Sequence, residues 1–325
     1  MGDVIHTWTL VVALRRAVPD SEIAWLVEEP LLPLVSGHPD VATAIPVATR
    51  RWRKAPLSAA TRQAIRSARA QVRAFAPSVA IDPQGLVKSA VWARLAGVPC
   101  RIGFSARVRR ERLAGAFYTT TVTPDDHWRH VVDLNLALLT ALGVEPAYGA
   151  SPDASFLRGS GARPRTAEND TVALLPGAGT AGKRWGSQQY GELAKRLAAS
   201  GLRPLVVWGP GEEVLARRIA ADSGDAAEVA PPTTLPELCR LLADCRAAVG
   251  GDTGPVHLAA ALGIPTVAIH VTTDADRNGA RGPRVNVLTG SRPGRVGSGA
   301  RTSRARAVAV GDVHASLTGL LEAGR

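Results

Sequence analysis

The strongest chemical signal in the sequence is GGDTGPVHLAAALG, at residues 250–263. The segment follows a predicted strand and opens a predicted helix, and its glycines allow a ligand to approach the backbone closely. A helix start offers free N–H groups and the positive end of the helix dipole, which together favour a phosphate. A strand-to-helix turn capped by Asp252 would explain that residue and Gly254, but not a polar His257 inside an apolar helix. We therefore favour a binding site in this segment.

Two further segments place polar groups after predicted strands. The first is LPGAGTAGKRW at residues 175–185, a loop whose N–H groups can point at a phosphate and whose Lys183 suits a pyrophosphate. It is not a P-loop, because the spacing differs and no Ser or Thr follows the lysine. The second is WGPGEE at residues 208–213, where Glu212 or Glu213 could hold ribose hydroxyls. The usual preference for acids at helix starts explains either glutamate equally well.

The first half of the chain carries one acidic and two basic candidates. Asp3 precedes a predicted helix and is either its cap or a general base. RRWRK at residues 50–54 forms a basic cluster that could bind an acidic substrate. It could equally be a solvated face or, through Trp52, a nucleic-acid contact. A second basic group lies at residues 107–112.

Both halves alternate strand-like and helix-like segments, which predicts an α/β fold with largely parallel sheets. Predicted strands in the first half span residues 23–27, 43–47 and 79–82, and predicted helices span residues 59–75 with Ser58 as cap, 86–95 and 127–142. Predicted strands in the second half span residues 171–175, 204–208, 247–249 and 266–269. Predicted helices there span residues 188–199, 212–221, 235–242, 257–262 and 313–321, the last capped by Asp312.

The halves are predicted to be separate domains. Pro and Gly residues interrupt regular structure over residues 144–170, which indicates a linker. We therefore expect domains at residues 1–155 and 165–325. Two such domains would place a ligand in a cleft at the carboxyl ends of their strands. Residues 291–306, rich in Arg, Gly and Ser, are expected to form an exposed loop.

The cysteines and histidines give no sign of a metal site. Cys100, Cys239 and Cys245 lack metal-ligand spacing, and the last two are predicted to be small core residues in an apolar helical segment. His127 and His130 are three residues apart on a predicted helix, but a third ligand is missing. We interpret both as surface or packing residues, and we expect a reducing compartment.

The net charge of +11 favours anionic partners such as phosphates, nucleic acid or a membrane surface. The N-terminus has no basic region or cleavage site of a secretory signal. No apolar run reaches the roughly 18 residues that a membrane span needs. An arginine-rich composition alone explains the bulk charge as well as a specific anionic partner does.

The motifs resemble a known family, the bacterial ADP-heptose:lipopolysaccharide heptosyltransferases. GDVIHT at residues 2–7 resembles the family's N-terminal loop, and DTG with His257 and the following Ala-Ala-Leu run resembles its donor-binding segment. Two segments are similar to the heptosyltransferase I subgroup. They are IPVA running into RRWRKA, at residues 45–55, and ID with QGLVKSA, at residues 81–90.

The resemblance implies an enzyme of the GT-B type, with two Rossmann-like domains facing a cleft. The donor would be ADP-L-glycero-D-manno-heptose and the acceptor the Kdo region of lipid A. The chemistry would be an inverting displacement with no metal and no cofactor. Asp3 would be the base, and Lys183 with the helix start at Thr253 and Gly254 would stabilise the leaving diphosphate.

The resemblance also implies the binding residues and the location. The donor-binding residues would be Gly177, Thr180, Lys183, one of Glu212 and Glu213, Asp252, Thr253, Gly254 and His257. The acceptor-binding residues would be Arg51, Arg53, Lys54, Gln84 and Arg110. The enzyme would be cytoplasmic and would contact the anionic inner face of the inner membrane peripherally.

Three departures from the family pattern affect these expectations. Family members usually begin with a strand before the Gly-Asp loop, whereas this chain starts at Met1 inside that loop, so we expect the natural start to lie upstream. VTTD at residues 271–274 replaces the family's Gly-Pro-Thr-Asp, which puts donor contacts there in doubt. The loop at residues 177–182 differs from hydroxyl-bearing versions, so phosphate contacts there are expected to be largely backbone ones.

Three other functions compete with this one. A heptosyltransferase acting on a later core acceptor fits the family, but the basic cluster at residues 50–54 argues against it. A nucleic-acid-binding protein would fit the charge, but aromatic residues make up only 4% of the chain, which is few for base stacking. An inactive remnant of the family would fit the missing first strand.

Overall fold

The computed structural model describes residues 1–158, 169–178, 184–290 and 308–323. The chain divides into two compact units, an N-terminal unit over Asp3–Pro152 and a C-terminal unit that begins at Asp153. This boundary lies within the segment predicted as a linker. The expected loop at residues 291–306 lies outside the described residues.

The N-terminal unit is an α/β unit with five strands. Its elements are α1 (Gly2–Ala17), β1 (Ala24–Glu28), β2 (Thr43–Val47), α2 (Thr49–Trp52), α3 (Ala59–Phe75), β3 (Val79–Asp82), α4 (Val87–Ala96), β4 (Cys100–Phe104), β5 (Thr120–Val122) and α5 (Val131–Ala137). Short 3-10 helices span Glu29–Leu34, Arg112–Phe117 and Leu138–Leu142. The strands form two parallel sheets, β1–β2 and β3–β4–β5.

Helices bury apolar side chains of these strands. Helix α3 begins where Ser58 accepts a hydrogen bond from the Thr61 backbone, as predicted, and it packs with α4 against β1 and β2. Helix α1 and α5 share a second cluster with Ile81 of β3. Every residue of α1 from Val4 to Val11 is buried, so this helix is interior rather than amphipathic.

The C-terminal unit contains one parallel sheet of six strands. Its elements are β6 (Thr171–Leu175), α6 (Ser187–Ala199), β7 (Arg203–Val206), α7 (Glu213–Asp222), β8 (Glu228–Val229), α8 (Leu235–Asp244), β9 (Ala247–Gly251), α9 (Gly254–Ala261), β10 (Thr266–His270), α10 (Ala275–Asn278), β11 (Val285–Thr289) and α11 (Val310–Glu322). A 3-10 helix spans Ser155–Arg158. Strand order is β11-β10-β9-β6-β7-β8, with every neighbouring pair parallel. All residues of β9 and β10 are buried, as expected of central strands covered on both faces.

Two predicted helix starts are wrong. The helix expected from residue 127 begins only at Val131, because His130 has an extended backbone and its Nδ1 accepts a hydrogen bond from the Val132 N–H. His130 is buried, which agrees with the packing alternative and not with the surface alternative. Helix α11 has Ala309 at its N-cap and no side-chain cap; Asp312 lies in its first turn instead.

The cysteines follow the core prediction. All three are free thiols, and Cys239 and Cys245 are buried. Burial raises the pKa of Cys239 to about 11 and that of Cys245 to about 12, which makes both thiols poor nucleophiles. Cys245 follows α8 rather than lying within it. In the part of the chain that the structure describes, no helix is long and apolar enough to cross a membrane.

Candidate active site

Strands β6 and β9 are neighbours in the middle of the C-terminal sheet, and the order in which the chain adds strands reverses between them. We call this position the switch point of the sheet. From β6 the chain proceeds outward through β7 and β8, and from β9 it proceeds to the other side through β10 and β11. Connections that leave in opposite directions open a crevice at the carboxyl ends of these two strands, where open α/β sheets bind their ligands. The residues that follow β6 and β9 are therefore the candidates for ligand contact.

Helix α9 starts at this crevice. Thr253 is its N-cap residue in extended conformation, and the first intrahelical bond runs from Val256 N–H to the Thr253 carbonyl. The N–H groups of Thr253 and Gly254 precede that bond, and Pro255 has none to satisfy. The start of α9 thus presents donors and a positive dipole end, as the sequence predicted.

Gly250 explains how β6, β9 and α9 approach so closely. A Cβ atom on Gly250 would lie 2.6 Å from both Leu175 Cβ and Val256 Cγ2. The strand-end glycine is therefore required by packing. The sequence analysis did not assign this role to Gly250, since the contact joins parts of the chain far apart in sequence.

Asp252 and His257 form a pair beside the helix start. Their Oδ1 and Nε2 atoms are 3.3 Å apart, and both side chains are largely buried. Asp252 is not the N-cap residue of α9, so the alternative that it serves only as a cap is wrong. The polar His257 within an apolar helix has its explanation here, because it contacts the carboxylate that opens the turn.

The structure shows which of Glu212 and Glu213 lies at the crevice, a choice that the sequence left open. The Glu212 carboxylate accepts a hydrogen bond from Gly209 N–H at 2.9 Å. A Cβ atom on Gly177 would lie 2.5 Å from Glu212 Oε2, so Glu212 lies over the loop that follows β6. Glu213 pairs instead with Arg217, one turn along α7, at 2.7 Å. Glu212 is therefore the glutamate at the crevice.

Tyr190 of α6 contacts the end of β6 beside the crevice, and the sequence analysis did not identify this contact. Its hydroxyl donates a hydrogen bond to the Leu175 carbonyl at 3.3 Å, at the end of β6. Burial raises the pKa of Tyr190 well above its usual value, so the phenol stays protonated. Tyr190 packs edge-on against Trp185 at 5.0 Å, and Trp185 donates to the Val308 carbonyl at 2.8 Å.

Two further predictions concern loops near this crevice. Thr180 and Lys183 lie outside the described residues. In the segment at residues 271–274, the Thr273 hydroxyl lies 2.8 Å from His270 Nδ1 and Asp274 caps α10. This segment thus forms an ordered turn after β10.

In the N-terminal unit, Asp3 is in the first turn of α1, which begins at Gly2. Its carboxylate lies 3.6 Å from Arg110 Nη2, and both side chains are about half exposed. The structure therefore brings together the predicted base and one predicted acceptor-binding residue. Arg110 thus places a positive charge beside the carboxylate that is predicted to act as the general base.

The turn after β3 and the basic segment after β4 are bound to each other. Gly85 adopts a positive φ of 66° and packs against Arg109, whose Cβ would lie 3.1 Å from an added Cβ. Glu111 N–H donates to the Gly85 carbonyl at 3.0 Å, and the Glu111 carboxylate accepts from Val87 N–H at 2.7 Å. Gln84 and Arg110, adjacent to these contacts, thus belong to one surface.

Asp82, at the end of β3, lies at the centre of a hydrogen-bond network that the sequence analysis did not identify. Its carboxylate accepts from the Tyr118 hydroxyl at 2.7 Å, the Ser89 hydroxyl at 2.8 Å and the Gln84 N–H at 2.9 Å. Burial nevertheless raises the pKa of Asp82, because desolvation outweighs these hydrogen bonds. The network orders the turn that carries Gln84.

The basic cluster at residues 50–54 lies on α2 and the turn after it. Arg51, Arg53 and Lys54 are exposed, and Arg51 forms an ion pair with Glu29 at 3.1 Å. Trp52 is buried, with its ring 5.7 Å from that of Trp92. The proposed nucleic-acid contact through Trp52 is therefore wrong, because its ring is part of the core.

The chain has two Rossmann-like units. In the C-terminal unit, the start of α9, Gly177 and Glu212 lie where the strand order of the sheet reverses. This combination is typical of GT-B glycosyltransferases. Comparison with known proteins narrows this class. The family profile described as "Glycosyltransferase family 9 (heptosyltransferase)" matches residues 65–297. Lipopolysaccharide heptosyltransferase 1 of Pseudomonas aeruginosa is 33% identical over 90% of this chain and 81% of its own length.

Solved structures agree with the family match. E. coli heptosyltransferase WaaC with ADP superimposes with a TM-score of 0.79 at 32% identity, covering 89% of this chain and 90% of that one. The same enzyme with ADP-2-deoxy-2-fluoro heptose gives a TM-score of 0.78 at 29% identity, covering 100% and 97%. This chain belongs to glycosyltransferase family 9, the heptosyltransferases. The expected GT-B fold and glycosyltransferase activity are confirmed.

Proposed function

We propose that this chain transfers L-glycero-D-manno-heptose from ADP-L-glycero-D-manno-heptose to the Kdo region of lipid A during synthesis of the lipopolysaccharide inner core. The proposal rests on the residues that lie together where the strand order of the C-terminal sheet reverses, between β6 and β9. There the start of α9, Gly177 and Glu212 form a surface suited to a nucleoside diphosphate. The similarity to heptosyltransferases solved with ADP and with a fluorinated ADP-heptose supports the same donor.

Donor binding divides among groups of different chemistry. The N–H groups at Thr253 and Gly254 face the diphosphate, as helix starts do in other phosphate sites. Glu212 accepts hydrogen bonds from the adenosine ribose, since carboxylates after a strand commonly hold ribose hydroxyls. By resemblance, Thr180 and Lys183 complete the diphosphate site from the loop after β6.

The reaction is an inverting displacement. The Asp3 carboxylate takes the proton of the acceptor hydroxyl, whose oxygen forms a bond to the anomeric carbon of heptose. The bond from that carbon to the diphosphate oxygen breaks, and ADP leaves with the electron pair. Thr253, Gly254 and Lys183 stabilise the charge that develops on the leaving diphosphate, so no metal ion is required in this scheme.

Acceptor binding belongs to the basic surfaces of the N-terminal unit. Arg51, Arg53 and Lys54 are exposed cations that suit the carboxylates and phosphates of an inner-core lipid. Arg110 also contacts Asp3, so this basic surface extends to the proposed base. Gln84 lies in the turn joined to the Arg110 segment, where its amide can donate hydrogen bonds to sugar hydroxyls and accept hydrogen bonds from them.

The lipid-linked acceptor implies a cytoplasmic enzyme that contacts the inner membrane peripherally. The net charge of +11 would attract it to anionic lipids. Co-sedimentation with anionic vesicles should decrease as salt increases, because such attraction is screened. Absent or salt-independent sedimentation would contradict this part of the proposal.

Mass spectrometry of the acceptor tests the transfer itself. The protein is incubated with ADP-heptose and one of three acceptors: Kdo-bearing lipid A, lipid A without Kdo, or a core that already carries heptose. We expect heptose to be added to the Kdo-bearing acceptor alone. Addition only to the heptose-bearing core would assign the enzyme to a later step, and transfer from other ADP sugars at equal rate would contradict the donor assignment.

A further inference from the structure

Glu111 is the one acid in the basic segment at residues 107–112, whose other charged residues are four arginines. The Glu111 side chain is exposed. Its negative charge weakens the attraction of this segment for an anionic ligand. If the segment binds the carboxylates and phosphates of an acceptor, the contribution of Glu111 to that binding has to come from something other than its charge.

Two hydrogen bonds join Glu111 to the turn that carries Gln84. The Glu111 backbone N–H donates to the Gly85 carbonyl at 3.0 Å. The Glu111 carboxylate accepts from the Val87 N–H at 2.7 Å, across 24 residues of sequence. We name this pair of hydrogen bonds the Glu111 clamp. The clamp holds together two loops that the sequence separates.

The Glu111 clamp also satisfies the start of α4. Val87 is the first residue of this helix, and the N–H groups of a first helical turn have no partner within the helix. The N-cap residue Leu86 has an apolar side chain, which cannot accept a hydrogen bond. Glu111 thus supplies from another loop the oxygen that an N-cap side chain usually provides, and its charge suits the positive end of the helix dipole.

Arg110 is held from its other side as well, through Arg109. A Cβ atom on Gly85 would lie 3.1 Å from Arg109 Cβ, and a Cβ atom on Gly115 would lie 2.4 Å from Arg109 Cζ, so Arg109 packs closely against both glycines. Arg110 therefore lies between two anchored residues, and its Nη2 atom is 3.6 Å from Asp3 Oδ1. Freeing one of these neighbours would let the Arg110 side chain move away from the predicted base.

We propose that Glu111 is a positioning residue for the acceptor, whose carboxylate fixes Arg110 and Gln84 relative to each other so that both contact the same acceptor molecule. This inference rests on the proposed function, in which Arg110 and Gln84 bind the acceptor. Through its charge alone, Glu111 would weaken the binding of an anionic acceptor, whereas through the Glu111 clamp it strengthens that binding. The two effects predict opposite changes when the carboxylate is removed.

Steady-state kinetics of the full chain with ADP-heptose and Kdo-bearing lipid A separates these effects. Glu111→Ala removes both the charge and the hydrogen-bond acceptor, whereas Glu111→Gln removes the charge but keeps an oxygen that can accept from the Val87 N–H. Asp126→Asn is the control for charge, because Asp126 pairs instead with Arg107 of the same segment, at 2.6 Å. Amide hydrogen exchange at Val87 reports the Glu111 clamp without any substrate.

We expect Glu111→Ala to raise the KM for the acceptor about tenfold and to speed exchange at Val87 about tenfold, because a hydrogen bond to a charged acceptor is lost. The KM for ADP-heptose should stay unchanged. Glu111→Gln should raise the acceptor KM by no more than about threefold, since glutamine restores part of the clamp. Asp126→Asn should leave the acceptor KM unchanged or lower it.

A lower acceptor KM in both Glu111 variants would overturn the proposal, because the charge of Glu111 would then dominate. An unchanged acceptor KM with fast exchange at Val87 would also overturn it, since Glu111 would then serve only as a helix cap. Equal increases in the KM of donor and acceptor would contradict it by showing a general disturbance. Failure of the parent to transfer heptose would instead reject the proposed function, so the parent alone distinguishes the two failures.

Discussion

Replacing Glu212 tests the donor site most sharply, because the neighbouring Glu213 provides a matched control. The two residues have the same side chain and adjacent positions, but only Glu212 reaches the loop after β6. Glu213 pairs with Arg217 on the exposed side of α7. We expect Glu212→Gln and Glu212→Ala to weaken ADP binding, whereas Glu213→Gln should leave it nearly unchanged.

The expected magnitude follows from the hydrogen bonds that the carboxylate can make. One Glu212 oxygen already accepts from Gly209 N–H at 2.9 Å, and the remaining capacity is available to ribose hydroxyls. A hydrogen bond to a charged acceptor contributes about 1.5–3 kcal/mol, and one to a neutral acceptor about 0.5–1.5 kcal/mol. Glutamine should therefore weaken ADP binding by about tenfold and alanine by about a hundredfold.

Isothermal titration of each variant with ADP measures the effect, and the urea midpoint shows whether each variant is folded. The reasoning predicts a large loss for both Glu212 variants at unchanged stability. Equal losses for Glu212→Gln and Glu213→Gln would refute it, because the effect would then reflect general charge near the N-terminus of α7. Unchanged affinity in Glu212→Ala would remove Glu212 from the donor site.

Four other predictions follow from the geometry. Gly177→Ala places a Cβ atom 2.5 Å from Glu212 Oε2, so it should displace that carboxylate. We therefore expect it to weaken ADP binding about as much as Glu212→Ala does. A titration that shows full affinity for ADP would contradict this. Gly250→Ala should lower the free energy of unfolding by about 1–3 kcal/mol, because the added Cβ meets atoms of Leu175 and Val256. The measurement is the urea midpoint, which should decrease. An unchanged midpoint would show that close packing does not require a glycine here. Burial raises the pKa of Asp82, so its contribution to stability is complete below its unfolded pKa of about 3.9 and is lost as pH rises through the folded value. Asp82→Asn should therefore gain stability relative to the parent as pH rises above about 4, and a pH-independent difference in urea midpoints would exclude this. Arg53→Gln should raise KM for the Kdo-bearing acceptor and leave KM for ADP-heptose unchanged, whereas a change confined to the donor would move this residue out of the acceptor site.

Strands β6, β9 and β10 of the C-terminal unit were predictable to within two residues, because they are central and almost fully buried. The outer strands β8 and β11 were not predicted, and β11 is largely exposed. Strand β9 illustrates this, since all five of its residues are buried and its sequence is a continuous small apolar run. The helix start after it was also predictable, because Gly254 and Pro255 are suited to a first helical turn. Local sequence is sufficient where one element and its cap carry the signal.

Contacts between distant parts of the chain were not predictable from the sequence. The choice between Glu212 and Glu213 depends on Gly177, which precedes them by more than thirty residues. Tyr190 and Tyr118 act through hydrogen bonds to Leu175 and Asp82 that no local pattern records.

The predictions of two helix starts were wrong for a related reason. His130 and Asp312 both lie in sequences compatible with several starts, and tertiary packing selects among them. His130 is buried and its ring is 5.9 Å from that of His6 in α1, so its extended backbone is held by a contact outside its own segment.

The most direct test of the central claim is ADP release from ADP-heptose in the presence of Kdo-bearing lipid A, measured for the parent, Asp3→Ala and Asp20→Asn. Asp20 is an exposed turn residue of the same unit and serves as the matched control. We predict acceptor-dependent release by the parent and by Asp20→Asn, and its loss in Asp3→Ala with ADP affinity retained. Acceptor-dependent release at the parent rate by Asp3→Ala would contradict the account.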